Sequence, residues 1–489
     1  MEKLTVPPEA VFTYSLTPAA DPDFACHDQL RGGLVLNRTV KTQALFADGV
    51  TTQVAVIGLC VDSEGELART DIPNYLLRQA LKDGPRAAYA ASDRLAGKFL
   101  VYLWHEDAAY VWGDATHSLA IYYSTGRPVQ AVGVTENLVA SYTGAGASSD
   151  KAALAKTLPQ GQPFPAFTTS FDDVKALLAN HMLNLTTGKA HRQGLPTAAL
   201  NQDLRTVVVN TGRGAANIYR EYQKYYELVC PLTAGYDSRV NFALTAKMNP
   251  SGTCYTFKHP GFSDDTPDLR TAREICRDFA LEHVTVEDQE MPEGERANYR
   301  ALIGKDCTDY ALDLAHTFRG RFGDAALLNG NAIDQVGKSL SGNHIPRLLL
   351  TPRFWRSRLY FRGPHALSVL RQYLGDIPPQ QQRFVHDLVA WELDSGRWAA
   401  QSDVTYGMAG VSMLNLFNCR ALIASWLTIP RQQRNRKILH RSLFRILEPK
   451  LLDYPFTPET TAKKIISRNW PLMYVATFAY EYMLRHKAR

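Results

Sequence analysis

The segment Glu227-Leu-Val-Cys-Pro-Leu-Thr-Ala-Gly-Tyr-Asp-Ser-Arg239 decides the fold. An apolar run, Leu228 to Leu232, stops at Thr233, Ala234 and Gly235, and an amphipathic stretch follows from Arg239 to Met248. That succession reads as strand, tight loop and helix. Small residues let backbone N–H groups come close to an anion, and the amino end of the next helix adds partial positive charge. Leu232, Thr233, Ala234, Gly235, Ser238 and Arg239 are therefore the expected anion-binding residues. Asp237 supplies a carboxylate suited to a Mg²⁺ ion shared with the phosphates. The pattern predicts a phosphate-bearing ligand at this turn.

Working outward, the same alternation continues. Asp203 to Tyr226 is mostly helical in pattern, although Gly212 and Gly214 interrupt it. Thr253-Cys-Tyr-Thr-Phe257 is a second strand, Val284-Thr-Val286 a third, and Ala325-Ala-Leu-Leu328 a fourth that runs into Asn329-Gly330. Between the second and third, Asp268 to Leu281 sets Leu269, Ala272, Cys276 and Phe279 on one helical face. Such alternation predicts a parallel sheet with helices on both faces. Ligands then sit at the carboxyl ends of the strands, where Thr233 to Ser238 and Asn329 to Asp334 fall, with Gly330 a candidate ligand-binding residue. Phe257, at the end of the second strand, is a candidate for the adenine pocket. His259 reads as a surface loop residue, and Ser263-Asp264-Asp265 as a cap for the next helix. After about residue 345 the sequence is helical and basic.

Residues 1–195 read differently. Val54–Cys60, Phe99–Trp104, Ala109–Trp112 and Leu119–Tyr123 are short apolar runs with tight turns between the later ones, which predicts an antiparallel sheet. Ile72 to Lys82 is helical in pattern, and Gly144 to Pro165 reads as a loop or cover. His191-Arg-Gln-Gly-Leu-Pro196 is the candidate boundary, giving domains 1–195 and 196–489.

Composition narrows the class. With 489 residues, 45% hydrophobic and 21% charged, the chain suits two or three globular domains. No apolar run approaches bilayer length, and no hydrophobic signal core follows Met1-Glu2-Lys3. Seven scattered cysteines without a CxxC predict a reducing, cytoplasmic setting and argue against zinc or iron–sulfur. From Arg420 to Arg489, fourteen Lys or Arg face four acidic residues. That excess reads as a solvated face or as a match for phosphate or carboxylate partners.

Thr233-Ala-Gly-Tyr-Asp-Ser238 resembles the Ser-Gly-Gly-x-Asp-Ser loop of the asparagine synthetase family of PP-loop ATP pyrophosphatases. Asn329-Gly-Asn-Ala-Ile-Asp-Gln335 is similar to that family's Ser-Gly-x-Gly-x-Asp-Glu signature. The resemblance implies that Asp237 and Asp334, 97 positions apart, form a Mg²⁺-binding pair. Leu95-Ala-Gly-Lys-Phe99, Gly113-Asp114 and Ile121-Tyr-Tyr123 resemble the Gly-x-Phe … Asp … Tyr-Tyr pattern of the family's glutaminase-type domain. An α/β chain is thus implied, with an N-terminal αββα sandwich of Ntn type. A parallel-sheet PP-loop domain with a helical C-terminal part would follow it.

Three departures qualify the resemblance. A working glutaminase of this kind needs a cysteine thiolate activated by its own α-amine. Here Glu2 and Lys3 hold that end and the first cysteine is Cys26. Glutamine hydrolysis is not expected, an arrangement similar to that of β-lactam synthetases, carbapenam synthetases and lasso-peptide cyclases. Second, Asn331 stands where relatives carry a catalytic Glu or Tyr, and an amide cannot serve as a general base. Orienting substrate is the role left to it. Third, the late catalytic lysine of relatives has no clean match. Lys437 and Lys450 are candidates, as are Arg436, Lys463 and Lys464.

The expected activity is ATP-dependent amide formation. A small-molecule or peptide carboxylate is adenylated and passed to an amine. Nucleic acid is not the expected partner, and a homodimer is compatible with the sequence. Alternatives are a PP-loop tRNA-modifying enzyme using the basic segment, and a catalytically inactive ATP-binding scaffold.

Overall fold

The computed structural model describes residues 4–158, 160–259, 261–338, 345–363, 365–457, 465–466 and 469–487. Twelve strands lie in the first part of the chain: β1 (Tyr14–Thr17), β2 (Cys26–Gln29), β3 (Val35–Arg38), β4 (Ala44–Asp48), β5 (Thr52–Asp62), β6 (Leu95–His105), β7 (Ala108–Gly113), β8 (Tyr122–Ser124), β9 (Val132–Gly133), β10 (Val174–Ala176), β11 (His181–Asn184) and β12 (Lys189–Arg192). They form two six-stranded antiparallel sheets, ordered β10-β8-β9-β1-β3-β2 and β12-β11-β7-β6-β5-β4.

The long strands β5 and β6 show how this half is built. Val54, Val56 and Cys60 point to one side with Phe99, Val101 and Leu103, where Ile72, Leu76 and Ala80 of the helix Ile72–Asp83 cover them. Ala55, Ile57, Leu59 and Val61 point to the other side with Leu100 and Tyr102, into the main core. Successive side chains of a strand alternate faces, so both faces of this sheet are buried and the strands read as continuous apolar runs. Lys98 falls on the inner face and is buried.

Two expectations for this half are corrected. Leu119–Ile121 is not strand. The buried Asp114 carboxylate accepts the N–H groups of Thr116, Ser118 and Leu119, which winds that stretch into a tight turn before β8. Within Gly144–Pro165, expected to be a loop or cover, a helix forms over Ser149–Thr157.

The second part carries β13 (Leu228–Pro231), β14 (Thr253–Lys258), β15 (Glu282–Glu287), β16 (Ala326–Asn329) and β17 (Ser412–Asn415), in the order β15-β14-β13-β16-β17 with every pairing parallel. β13 is central, and the chain leaves it towards β14 and later returns on its other side as β16. The carboxyl ends of β13 and β16 therefore flank the point where strand order reverses, the usual binding crevice of an open parallel sheet. The helix Leu204–Gln223 keeps its two glycines because neighbours come close. A Cβ on Gly214 would meet Leu422 at 3.1 Å, and one on Gly212 would meet Ile446 at 3.1 Å. β17 lies in the region expected to be helical.

One hydrophobic core runs from Val6 to Tyr454, through both antiparallel sheets and the parallel one. A long helix joins the parts: Val385–Val389, a π-wound stretch Ala390–Ala399, and Ala400–Met408. From it Glu392 meets Arg192, Asn180 and Tyr373, and Arg397 meets Tyr122 and the Ala166 carbonyl. Beyond β17, Asn418 donates to Asp114 at 2.8 Å and to the Gly97 carbonyl at 2.6 Å. No helix among the described residues is long and apolar enough to cross a membrane.

Candidate active site

The loop after β13 folds onto itself. Leu232 is buried, its N–H donating to the Tyr255 carbonyl at 2.8 Å and its carbonyl accepting the Thr256 hydroxyl at 2.6 Å. Thr233 N–H donates to Ser238 Oγ at 3.1 Å, and Gly235 N–H donates to Thr233 Oγ1 at 3.0 Å. The two hydroxyls lie 2.8 Å apart. Ala234 N–H donates to Asp268 Oδ1 at 3.0 Å. Asp268 belongs to the first turn of the helix Pro267–Asp278. Three loop N–H groups thus already hold oxygen acceptors, one of them an anionic carboxylate. A phosphate would exchange with these rather than fill bare donors.

The helix that follows, Tyr236–Met248, begins three residues earlier than its apolar pattern suggests. Asp237 therefore sits in its first turn, where N–H groups lack intrahelical acceptors. Its Oδ1 accepts His440 Nε2–H at 2.8 Å, and its Oδ2 accepts the Lys338 ammonium. Burial alone would raise the Asp237 pKa. The His440 bond and the Lys338 charge outweigh it and bring it down to about 2. His440 is fully buried, which pushes its pKa down against the pull of Asp237. Its Nδ1 is buried and has no hydrogen-bond partner among the described residues.

From the far side of the switch point comes the loop after β16. Asn329 is buried and accepts both Asn415 Nδ2 at 2.7 Å and Asn331 N–H at 3.3 Å. A Cβ on Gly330 would lie 3.1 Å from Asp237 Cβ, so glycine lets the two segments approach more closely than a larger residue would. The helix Asn331–Lys338 then carries Asp334 and, one turn on, Lys338, whose ammonium also bonds Asp334 Oδ1. Asp237 and Asp334, far apart in sequence, thereby meet around one lysine. Burial would pull the Lys338 ammonium down, but the two carboxylates hold it above the ordinary lysine range.

Other expected residues lie elsewhere or do other work. Arg239 is fully buried and donates to carbonyls only: Leu451 at 3.3 Å, Tyr454 at 3.2 Å, Ala234 at 3.2 Å, Thr233 at 3.4 Å, and Pro455. It clamps a distant segment to the loop; burial pulls its pKa down to about 10, with Asp268 opposing. Lys450 lies over the Phe279 ring at 5.0 Å. Phe279 follows the helix Pro267–Asp278, at the sheet end opposite the loop. Lys437 is the left-handed residue capping the helix Ile438–Leu447, close enough to depress the pKa of His440. Asn331 starts the helix after β16, half-buried. Phe257 ends β14 in an aromatic cluster, its ring 4.7 Å from His259 and 6.3 Å from Tyr310. Arg436 is exposed. Lys463 and Lys464 lie outside the described residues.

Three residues escape sequence reasoning. Lys338 could have been paired with Asp334 from their spacing of four. His440 sits within an apolar stripe of Leu439, Leu443 and Phe444 and carries no local signal. Asp394, on the π-wound stretch, has its pKa raised to about 6 by burial, with Arg358 opposing and Asp334 reinforcing. A carboxyl group of that pKa suits general-base work near neutrality.

The small-residue loop and helix start at the switch point suit a nucleotide's phosphates. The aspartate pair does not suit Mg²⁺ beside Lys338. Mg²⁺ demands near-octahedral oxygen ligation, whereas three oxygens of the pair already accept protons from His440 or Lys338. Among the described residues no group of three or more His, Cys, Asp or Glu is set to hold a metal. No protein-family model matches the chain, and no curated protein matches it.

Proposed function

We propose that this chain is an ATP-dependent amide-forming ligase of asparagine synthetase type, releasing AMP and pyrophosphate. A substrate carboxylate attacks the α-phosphorus of ATP, and the bond to the bridging oxygen of pyrophosphate breaks. The acyl-adenylate is then attacked by an amine, AMP leaves, and the amine's proton passes to a base. Adenylation is needed because oxide is a poor leaving group and AMP a good one. The protein's part is positioning and charge stabilisation, and one such donor is worth about 3 kcal/mol of barrier.

The observation that carries this reading is the meeting of Asp237 and Asp334 on Lys338, beside the amino end of the helix Tyr236–Met248. In it, the Thr233–Ser238 loop and the first turn of that helix receive the phosphates, and Lys338 faces the charge that develops on pyrophosphate. Asp394 takes the amine's proton, supplying the base that Asn331 cannot be. Phe257 borders the adenine. The N-terminal half is a glutaminase-type sandwich without hydrolysis of its own. Cys26 has peptide on both sides, so no α-amine of its own can activate it, and the other six cysteines are buried.

The RNA-modifying alternative draws less support. Arg420 and Arg434, part of the basic segment, are buried and bonded to interior acceptors, so some of that charge is internal. An exchange assay tests the proposal: labelled pyrophosphate should enter ATP when a carboxylate pool is added, and much less with Asp237→Asn. Release of ADP and phosphate, or wild-type exchange by that variant, refutes it. If no nucleotide binds at all, the scaffold reading also falls.

A further inference from the structure

We propose that Lys338 is the resident cation of the Asp237–Asp334 pair, and that the pair holds this ammonium in place of a divalent ion. The proposal rests on the nucleotide reading only for the phosphate contact, not for the choice between ammonium and metal.

The geometry points to it from several sides. Lys338 stands four residues after Asp334 on one helix, the favoured order for an acid–lysine pair, so its reach to that carboxylate is fixed locally. The same ammonium reaches Asp237 on another helix, which gives Lys338 two carboxylates from opposite sides of the switch point. Its side chain is 20% exposed and that of Asp237 19%, so neither is a casual surface contact. The remaining oxygen of Asp237 is occupied by a histidine N–H, not open to a metal. The other charged groups nearby are mixed: Lys437 beside His440, Arg434, whose guanidinium donates to the Val336 carbonyl on the lysine's own helix at 2.6 Å and pairs with Asp387, and Asp394, whose pKa Asp334 helps to raise. A divalent ion added here would have to displace Lys338 from both partners.

A lysine in this position has a chemical consequence. An ammonium offers three donors, and two are engaged by the carboxylates. Among the described residues only the two carboxylates accept from it, which leaves the third donor to meet an oxygen of the leaving pyrophosphate. Charge neutralisation is then built into the protein, and nucleotide binding should depend little on free Mg²⁺.

Two measurements decide the matter. Mn²⁺ titration followed by electron paramagnetic resonance, on the full chain without nucleotide, should show no site in the wild type that Asp237→Asn removes. Lys338→Met should create one at least tenfold tighter than any wild-type binding, and adding Asp237→Asn should abolish it. A wild-type Mn²⁺ site lost on Asp237→Asn overturns the proposal, as does failure of folded Lys338→Met to gain one. Lys338→Gln serves if the Met variant does not fold. In the second measurement a fluorescent ATP analogue is titrated with EDTA present. Wild-type affinity should fall less than about threefold relative to Mg²⁺ buffer, and Lys338→Met should lose at least tenfold. A wild-type loss of tenfold or more in EDTA overturns the phosphate contact. Absence of analogue binding under every condition defeats the nucleotide reading and that contact with it, while the Mn²⁺ result still decides between lysine and metal.

Discussion

Replacing Arg239 with methionine separates a structural role from a nucleotide-binding one. The side chain keeps its length and loses every donor. Three of the guanidinium's bonds, to the carbonyls of Leu451, Tyr454 and Ala234, are enclosed within the protein. Each buried carbonyl left without a donor costs about 1–3 kcal/mol. The low end applies, because Met also spares the folded state a cation desolvated without a carboxylate partner. Three carbonyls at about 1 kcal/mol each give a loss of about 3 kcal/mol, with the contact over the Phe456 ring, at 4.1 Å, adding a little. Arg239→Lys should recover less than half, since one ammonium cannot span carbonyls that a planar fork reaches on two sides. Urea unfolding followed by tryptophan fluorescence measures the loss. Limited proteolysis should show new cleavage near residues 449–457, the segment the guanidinium holds. If Arg239→Met unfolds within about 0.5 kcal/mol of wild type yet fails to bind nucleotide, the carbonyl-clamp reasoning is wrong.

Gly330→Ala should force the two loops apart by a few tenths of an ångström, because its Cβ would meet Asp237 Cβ at 3.1 Å. A stability loss of about 1–3 kcal/mol and weaker nucleotide binding are expected, read by thermal shift and titration. Asp268→Ala removes the carboxylate from Ala234 N–H. ATP-analogue affinity should rise, and an unchanged or lower affinity would place the phosphates away from that N–H. Burial, with Asp114 reinforcing and Lys98 opposing, raises Asp403 from the usual 3.8 to about 7. The folded chain keeps that proton where the unfolded chain has lost it, so this stability is full below about pH 4 and gone above about pH 7. Asp403→Asn should therefore gain on wild type as pH rises from about 5 to about 8, measured by unfolding midpoints. Of the seven cysteines only Cys26 is not buried. Iodoacetamide should label one thiol in the native protein and seven after denaturation, counted by mass spectrometry.

Much of the parallel sheet is legible in the sequence because its inner strands β14, β13 and β16 are largely buried on both faces. Leu228–Leu232 and Thr253–Phe257 stand out as apolar runs, and small residues mark the turn after the first. The Asp237–Asp334 meeting is legible only through resemblance, since nothing local to either residue says that β13 and β16 are neighbours. Strands such as β2 (Cys-His-Asp-Gln) and β17 (Ser-Met-Leu-Asn) are short and mixed in polarity, and their pairing partners alone make them strands. His440 and Asp394 reach the site through helix packing, which leaves no periodic trace. The bonds of Arg239 are hidden for a related reason: it neighbours the loop in sequence, but three of its carbonyl acceptors come from residues 451–455.

The reach of Asn418 under β6, with Lys98 of β6 donating to the Asp403 carbonyl at 2.9 Å, bears on how the gene can be dissected. Cutting the chain near residue 195 would strip Asp114 of a buried amide and leave an ammonium stranded in oil. Each fragment should be insoluble alone, and a deletion phenotype would report collapse, not a missing reaction step. The amino-terminal half thus persists as a foundation wall, whatever chemistry it once had or lacks.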